Sequence, residues 1–375
     1  MKMEDLALYH RGSVKDIYHT RDKEVLAFIF SDRYSVFDWG DMPDHILGKG
    51  KSLGFLAALF FDVLGKPASW SNWNAPSWVG EIDSLNLLSE FKEKGCPHHY
   101  LGQIDGAAES LLVKRVDVPK LEVEAGRYRY SHYKTKPINC LVPLEVIFRF
   151  GLPQGSSLFK RLDNDEYKRC LGIMQEPKVG DTFKRPVIEF STKLEKTDRY
   201  LTYSEAAELS GLSDNEFSRL YSQTSLIALR LKDLFLESGI ELWDGKFEFS
   251  FTGDLSNREF MLVDSIGPDE LRLMADGEKL SKEFLRSFYR GSQWLELVEE
   301  MKKVSMTGWK AEVLKKYPNG PEPLSESYLE TAAELYQSLA GSVGKSFGKH
   351  YDSNFKPLGD VAKQMKIIGK SEGQK

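Results

Sequence analysis

One stretch limits the possible folds more than any other. Residues 241–266, ELWDGKFEFSFTGDLSNREFMLVDSI, alternate as a strand does. Trp243, Phe247, Phe249 and Phe251 fall on one face and Asp244, Lys246 and Glu248 on the other. A second alternating run, Phe260 to Ile266, follows a Gly/Asp/Ser/Asn cluster, so the pair reads as a β-hairpin with its turn near Ser256. That centring sets Asp264 opposite Glu248. Two carboxylates facing across strands are unfavourable by up to about 1 kcal/mol, so the register calls for positive charge between them. A metal ion would supply it; a salt-bridged surface face is the plainer alternative. The adjoining GPDELR adds Asp269 and Arg272.

The remaining chain bounds the function classes. With 41% hydrophobic and 29% charged residues over 375, it has an ordinary globular composition and the length for one large domain or two. Fifty-one basic against 56 acidic residues, a net charge of -5, give no overall attraction for nucleic acid or an anionic membrane. Any anion must be held by a local site. Three cysteines without a C-x-x-C pair favour neither a disulfide framework nor a zinc site and fit a reducing cytoplasm. MKMEDLALYH lacks an apolar signal core, and GFLAALFFDVLG, broken by Asp62, is too short to cross a bilayer.

Residues 5–30 read as three short β segments, LALYH, SVKDIYHT and EVLAFIF. The run KSLGFLAALFFDVLG has helical spacing, and ESLLVKRVDV is a further strand. PKLEVEAGRYRYSHYKTKPINC, from Pro119 to Cys140, reads as an inserted hairpin or loop. From Thr202 the chain reads helical, with Ser204 and Ser213 as caps and Gly239 as a stop. SKEFLRSFYR and SESYLETAAELYQSLAG are later helices, with a Lys/Glu-rich stretch between them, and the lysine-rich tail from Gly341 reads as a solvated extension.

Three further motifs carry chemistry. RGSVKDIY puts a glycine turn ahead of Lys15, which lets backbone N–H groups and a cation approach phosphate; an ordinary hairpin is the alternative. SDRYSVFDWGDMPDHILGKGKSL ends in Gly48-Lys49-Gly50 before a helix, where an anion could sit. VPLEVIFRFGLPQGSSLFKRL ends a strand at Arg149 and continues through serines to Lys160-Arg161, equipment suited to a phosphate monoester. GSVGKSFG near the C-terminus is not a P-loop, because Leu339 stands where the first glycine is required.

In this order the motifs resemble the SAICAR synthetase family. YHRGSVKDIY resembles its glycine-lysine nucleotide loop and SDRYSVFDWGDMPDHILGKG its S-D-R-x-S-x-F-D…P-G-K-G block; LVKRVDV and VPLEVIFR resemble two halves of one family strand. EFSTKLEKTD, DGKFEFS, VDSIGPDELR, SKEFLR and LSESYLETAAELYQSL follow in family order, so the likeness runs from about Tyr9 to Leu339. It implies a two-lobed α+β fold: an N-terminal antiparallel β lobe that binds ATP (1–118), an insertion (119–141), a larger ATP-grasp-like α/β lobe (142–340) and a lysine-rich extension (341–375). The implied reaction joins carboxyaminoimidazole ribonucleotide to L-aspartate with ATP and Mg²⁺, in de novo purine biosynthesis.

The resemblance also implies residue roles. Gly12, Ser13, Lys15, Lys114, Lys246 and Glu248 would serve ATP, Glu248 and Asp264 would hold the metal, and Lys246 and Asp264 would be catalytic. Arg149, Ser156 or Ser157, and Arg272 would grip the ribose phosphate, with Asp38, Lys49 and Glu145 nearby and Lys193 or Arg199 by the donor's carboxylates. The partners implied are small molecules only, with monomer and homodimer both open. The chain departs from the family at Ser13 (usually Lys), Ser250 (Gly), Ser265 (Glu) and Ser281 (Asp), and KTDRYL replaces a histidine-acid stretch. These departures keep two alternatives open: a relative using another carboxylate or amine, and a nucleotide-binding protein without catalysis. A protein kinase is excluded by the lack of H-R-D-x-x-x-x-N and D-F-G.

Overall fold

The computed structural model describes residues 2–255, 257–280, 282–305, 308–351 and 354–372. The expected turn residue Ser256 and the departure at Ser281 lie outside them.

The three N-terminal β segments are β1 (Ala7–Arg11), β2 (Lys15–His19) and β3 (Val25–Phe30), and they form an antiparallel sheet with β4 (Tyr100–Ile104) and β5 (Ala107–Lys114), in the order β1-β2-β3-β5-β4. Helix α1 (Lys49–Leu64) lies across this sheet. It buries Leu53, Leu56, Phe60, Phe61 and Leu64 and is apolar nearly all round because it is sandwiched between the sheet and a late helix. Short helices α2 (Pro67–Ser71) and α3 (Leu87–Lys94) complete this lobe.

The insertion does contain a hairpin, β6 (Glu122–Glu124) with β7 (Arg127–Arg129), turning at Ala125 and Gly126, which both have positive φ. It continues through α4 (Ser131–Lys134) to β8 (Cys140–Leu141), which already belongs to the second lobe's strands. That lobe is built on β9 (Leu144–Gly151), β10 (Thr182–Thr192), β11 (Tyr200–Leu201), β12 (Glu241–Gly253), β13 (Arg258–Val263), β14 (Leu271–Ala275) and β15 (Glu278–Lys279), in the order β11-β10-β9-β12-β14-β15. The first half of β12 lies between β9 and β14; its second half pairs with β13 and β8. One correction follows: LVKRVDV and VPLEVIFR are not halves of one strand, since β5 ends in the first sheet and β9 starts in the second.

The helices bear out most of the boundaries. After α5 (Asp165–Cys170), α6 (Tyr203–Ser210) is capped by Thr202, not Ser204, and α7 (Asp214–Leu236) by Ser213. Both caps are capping boxes, completed by Glu205 and Glu216, which is why the residue three before each glutamate wins. The Lys/Glu-rich stretch beyond α8 (Lys282–Tyr289) forms α9 (Gln293–Val304) and α10 (Trp309–Lys316). Helix α11 runs Glu326–Ser346, through the expected 340/341 boundary. The tail is not a solvated extension: α12 (Leu358–Glu372) packs on α11 with Leu358, Val361, Ala362 and Met365 buried at i, i+3, i+4 and i+7. Burial of such side chains stabilises by roughly 1.5–3 kcal/mol each, enough to dock a lysine-rich helix.

Candidate active site

The β12–β13 hairpin delivers the carboxylates, but in a different register from the one expected. Glu248 pairs with Val263, so Asp264 lies one residue beyond its predicted partner and just past the end of β13. Asp264 has φ +68, a left-handed conformation that aspartate tolerates better than most residues. That turn of the backbone brings its side chain back to the cleft where Glu248 points. Phe247, Phe249 and Phe251 lie in the core as predicted, but Trp243 does not: an irregularity between Leu242 and Asp244 turns Leu242 inward and leaves Trp243 half-buried, its Nε1–H on Glu241.

A cleft of about 830 Å³ lies between the two sheets. Ile17, Leu26, Phe28, Val113, Leu141 and Val263 give it apolar walls, and Lys15, Lys114, Lys193, Glu248, Asp264 and Glu270 give it charge. At the RGSVK turn, a Cβ on Gly12 would lie 2.5 Å from the Lys15 carbonyl oxygen, so the chain can close there only on glycine. Lys15 pairs with Asp264. Lys193 bridges Glu248 at 2.7 Å and Glu145 at 3.0 Å, and Lys246 reaches Glu145 at 2.7 Å.

These contacts set the protonation states. Burial alone would raise the Asp264 carboxyl, yet Lys15 and Lys193 outweigh it and bring it down to about 2. Burial and the neighbouring Asp264 charge push Glu248 up against the pull of Lys193. Lys193 stays charged because Glu248, Glu145 and Asp264 outweigh its burial. Burial holds His99 near 3, so its neutral Nε2–H donates to the Asp264 carbonyl at 3.0 Å and braces that residue. Glu270 rises to about 7, through burial and then the charges of Asp269 and Asp264.

Along the same sheet face, away from the cleft, the charges are fixed by arginine. Arg149 is buried, with Nε on Glu189, Nη1 3.1 Å from Asp244 and Nη2 donating to Ser157 Oγ at 3.3 Å. Arg272 pairs with the same Asp244, and Arg161 and the Tyr167 hydroxyl take the other oxygen of Glu189. Ser157 is thus the serine tied into the network; the Ser156 hydroxyl is buried without a protein partner among the described residues.

Other expected residues fall where the sequence did not indicate. Lys49 is fully buried and pairs with Asp269 at 2.8 Å, which also accepts from the Tyr336 hydroxyl at 2.7 Å. The N-terminus of α1 already carries an anion: Gly48 N–H and Gly50 N–H donate to the Asp32 carboxylate at 3.2 and 2.9 Å. Arg199 lies away from the cleft and the charged sheet face, pairing with Glu195 at 3.0 Å on the side of the insertion. Asp38 is exposed and pairs with Lys302 at 2.7 Å. Sequence reasoning missed Glu189, His99, Glu270 and Lys302. Of these only Glu189 carried a signal, a lone acid in the apolar run PVIEFST.

A charged sheet face set across a cleft from an antiparallel lobe gives two anionic ligands a common place to meet, as in a two-lobed enzyme with two substrates. The family model of SAICAR synthetase matches residues 8–301, and the chain belongs to that family. A relative from Archaeoglobus fulgidus is 35% identical over 374 residues, covering 95% of this chain and 99% of that one. The phosphoribosylaminoimidazole-succinocarboxamide synthase of Thermoplasma acidophilum is 29% identical over 338 residues, with 88% and 95% covered. The fold is similar to that of the Saccharomyces cerevisiae SAICAR synthase complexed with SAICAR: TM-score 0.59, 22% identity, 94% of this chain and 98% of that one. It is also similar to a SAICAR synthetase in complex with ADP, with TM-score 0.51, 22% identity and coverages of 85% and 100%.

Proposed function

We propose that the chain is an ATP-dependent C–N ligase joining the carboxylate of carboxyaminoimidazole ribonucleotide to the amine of L-aspartate, giving SAICAR, ADP and phosphate in purine biosynthesis. The observation that carries this reading is one sheet face with a nucleotide end and an arginine end. Glu145 and Arg149 lie four residues apart on β9, roughly 13 Å, which suits a mononucleotide laid along the strand with its phosphate at Arg149. Family membership supports the same assignment.

A carboxylate resists amines until it carries a leaving group. Its oxygen attacks the γ-phosphorus of ATP, ADP leaves, the aspartate amine attacks the acyl carbon, and phosphate departs. The apolar walls from Ile17 to Val263 seat the base of ATP, with Gly12, Ser13, Lys15 and Lys114 around its phosphates. Lys246 faces the transferring group, where its charge offsets developing negative charge. Arg149, Ser157 and Arg272 bind the ribose phosphate; Lys193, Asp38 and Glu145 border the reacting groups, while Lys49, fully buried, reaches them only through Asp269.

Mg²⁺ fits the donor set. Glu248 and Asp264 offer hard oxygens in one cleft, and Mg²⁺ commonly takes one or two carboxylates with substrate phosphates completing its shell. When bound, the ion would neutralise phosphate charge. Residues 1–118 form the nucleotide lobe in this reading, 119–141 the insertion and 142–340 the larger lobe, with α12 of 341–375 as a docked extension. Three free cysteines support a reducing cytoplasm, and no described helix is long and apolar enough to cross a membrane.

The test is a product assay with ATP, Mg²⁺, the carboxyaminoimidazole nucleotide and a panel of amino acids. Aspartate-dependent amide is expected; robust turnover with another amine and none with aspartate would overturn the substrate while keeping the ligase class.

A further inference from the structure

Phe37 and Asp38 both adopt left-handed backbone conformations, φ 54 and 57, in direct succession. Neither is glycine, and side-chain-bearing residues rarely take this conformation even singly. Such a pair persists only where its surroundings fix it. The fixing group is Lys302 of α9, distant in sequence. Its Nζ donates to the Phe37 carbonyl at 2.9 Å and to Asp38 Oδ2 at 2.7 Å. The same Nζ lies 4.8 Å from the centre of the Trp309 ring. Trp39, the next residue, packs edge-on against Trp294 at 5.3 Å and against Trp309 at 5.9 Å.

The Asp38 side chain nevertheless remains 89% exposed, so Lys302 anchors it without covering it. The charges that act on it are Lys302 of α9, Lys282 and Arg286 of α8, and Asp198 of the turn between β10 and β11. That turn also carries Lys193, which reaches Glu145 and Glu248. An open carboxylate on a strained but clamped loop, facing charges from two other elements, is presented for contact and not sequestered.

We infer that Lys302 is a positioning residue of the ligase: it holds the Phe37–Asp38 pair in its left-handed conformation so that Asp38 meets the imidazole nucleotide or the amine donor. This rests on the proposed function, in which Asp38 borders the reacting groups. The little desolvation Asp38 meets beside α8 and α9 would raise its carboxyl, but Lys302 first, then Lys282 and Arg286, outweigh it and hold it below the usual carboxylate range. Removing the Lys302 cation therefore raises it.

The test compares Lys302→Met, Lys302→Arg and Asp38→Asn with the wild type by steady-state kinetics, pH profiles, thermal melting and hydrogen exchange of the peptide 33–41. For Lys302→Met we expect KM for one of the two non-ATP substrates to rise about fivefold or more while KM for ATP stays within about twofold. The acid limb of kcat/KM for that substrate should move to higher pH, and exchange in 33–41 should rise. Lys302→Arg should restore most of each. Wild-type KM and pH profile in Lys302→Met would overturn the inference, as would an equal loss for all three substrates with a lowered melting temperature. If Asp38→Asn is fully active in an enzyme that makes the amide, the inference falls and the ligase reading stands. If the wild type makes no amide, the ligase reading falls, and unchanged exchange in Lys302→Met would sink the positioning claim as well.

Discussion

At the cleft end of the sheet face three carboxylates are matched to lysines: Asp264 to Lys15, Glu248 to Lys193, Glu145 to Lys193 and Lys246. At the other end the cations are arginines, locked by Glu189 and Asp244, both buried. An ammonium on a flexible stem can move from a carboxylate to an arriving phosphate, whereas a guanidinium held by two partners keeps its fork in place. In the proposed reading, the chain thus keeps movable charge where a group would be transferred and fixed charge where a phosphate would be held.

Arg149→Met should break this comparison most severely. It leaves Glu189 and Asp244 buried with fewer partners, and breaking a buried pair from one side costs about 3–5 kcal/mol. Urea unfolding should show that loss; a change under about 1 kcal/mol would mean the arginine end is no more fixed than the other. Lys246→Ala should do the reverse, cutting turnover by about 10²- to 10³-fold, as loss of a transition-state charge contact does, with little change in melting, because Lys193 still serves Glu145. Intact turnover would remove Lys246 from the chemistry.

Acid sharpens the comparison further. Asp264 has a folded value of about 2, below its unfolded value, so its contribution to stability is present above about pH 4 and lost as pH falls toward 2. Glu270 runs the other way: its folded value of about 7 lies above the unfolded one, so its contribution is present below about pH 4 and lost as pH rises through 7. Glu270→Gln should therefore flatten the stability profile between about pH 4 and 7 without altering the acid limb. An unchanged profile would place Glu270 in a wetter setting. The smallest effect belongs to the insertion, where Tyr130 donates to Glu195 at 2.8 Å on the turn that carries Lys193. Tyr130→Phe should cost about 0.5–1.5 kcal/mol of stability, the worth of one hydrogen bond.

Much of this was legible in the chain. Alternation in ELWDGKFEFS gave the polar and aromatic faces of β12, and strand and helix periods placed β1 to β3, α1 and α7. The one-residue error in the hairpin arose at the turn: the strands close with Gly253 opposite Arg258, half a residue off a centring on Ser256, and that offset carries unchanged to Glu248 opposite Val263. The Asp32 cap on α1, the burial of Lys49 against Asp269 and the Lys302 clamp join residues 16 to 265 positions apart, and no local pattern encodes such pairings. The tail's apolar stripe was present but outweighed in reading by its lysines.

The central claim is that ATP activates the nucleotide's carboxylate and that aspartate then displaces phosphate. Carboxyaminoimidazole ribonucleotide labelled with ¹⁸O in its carboxylate tests this directly, by mass spectrometry of the phosphate released during turnover with aspartate. The account predicts one ¹⁸O carried into each phosphate; amide formation with unlabelled phosphate would contradict it.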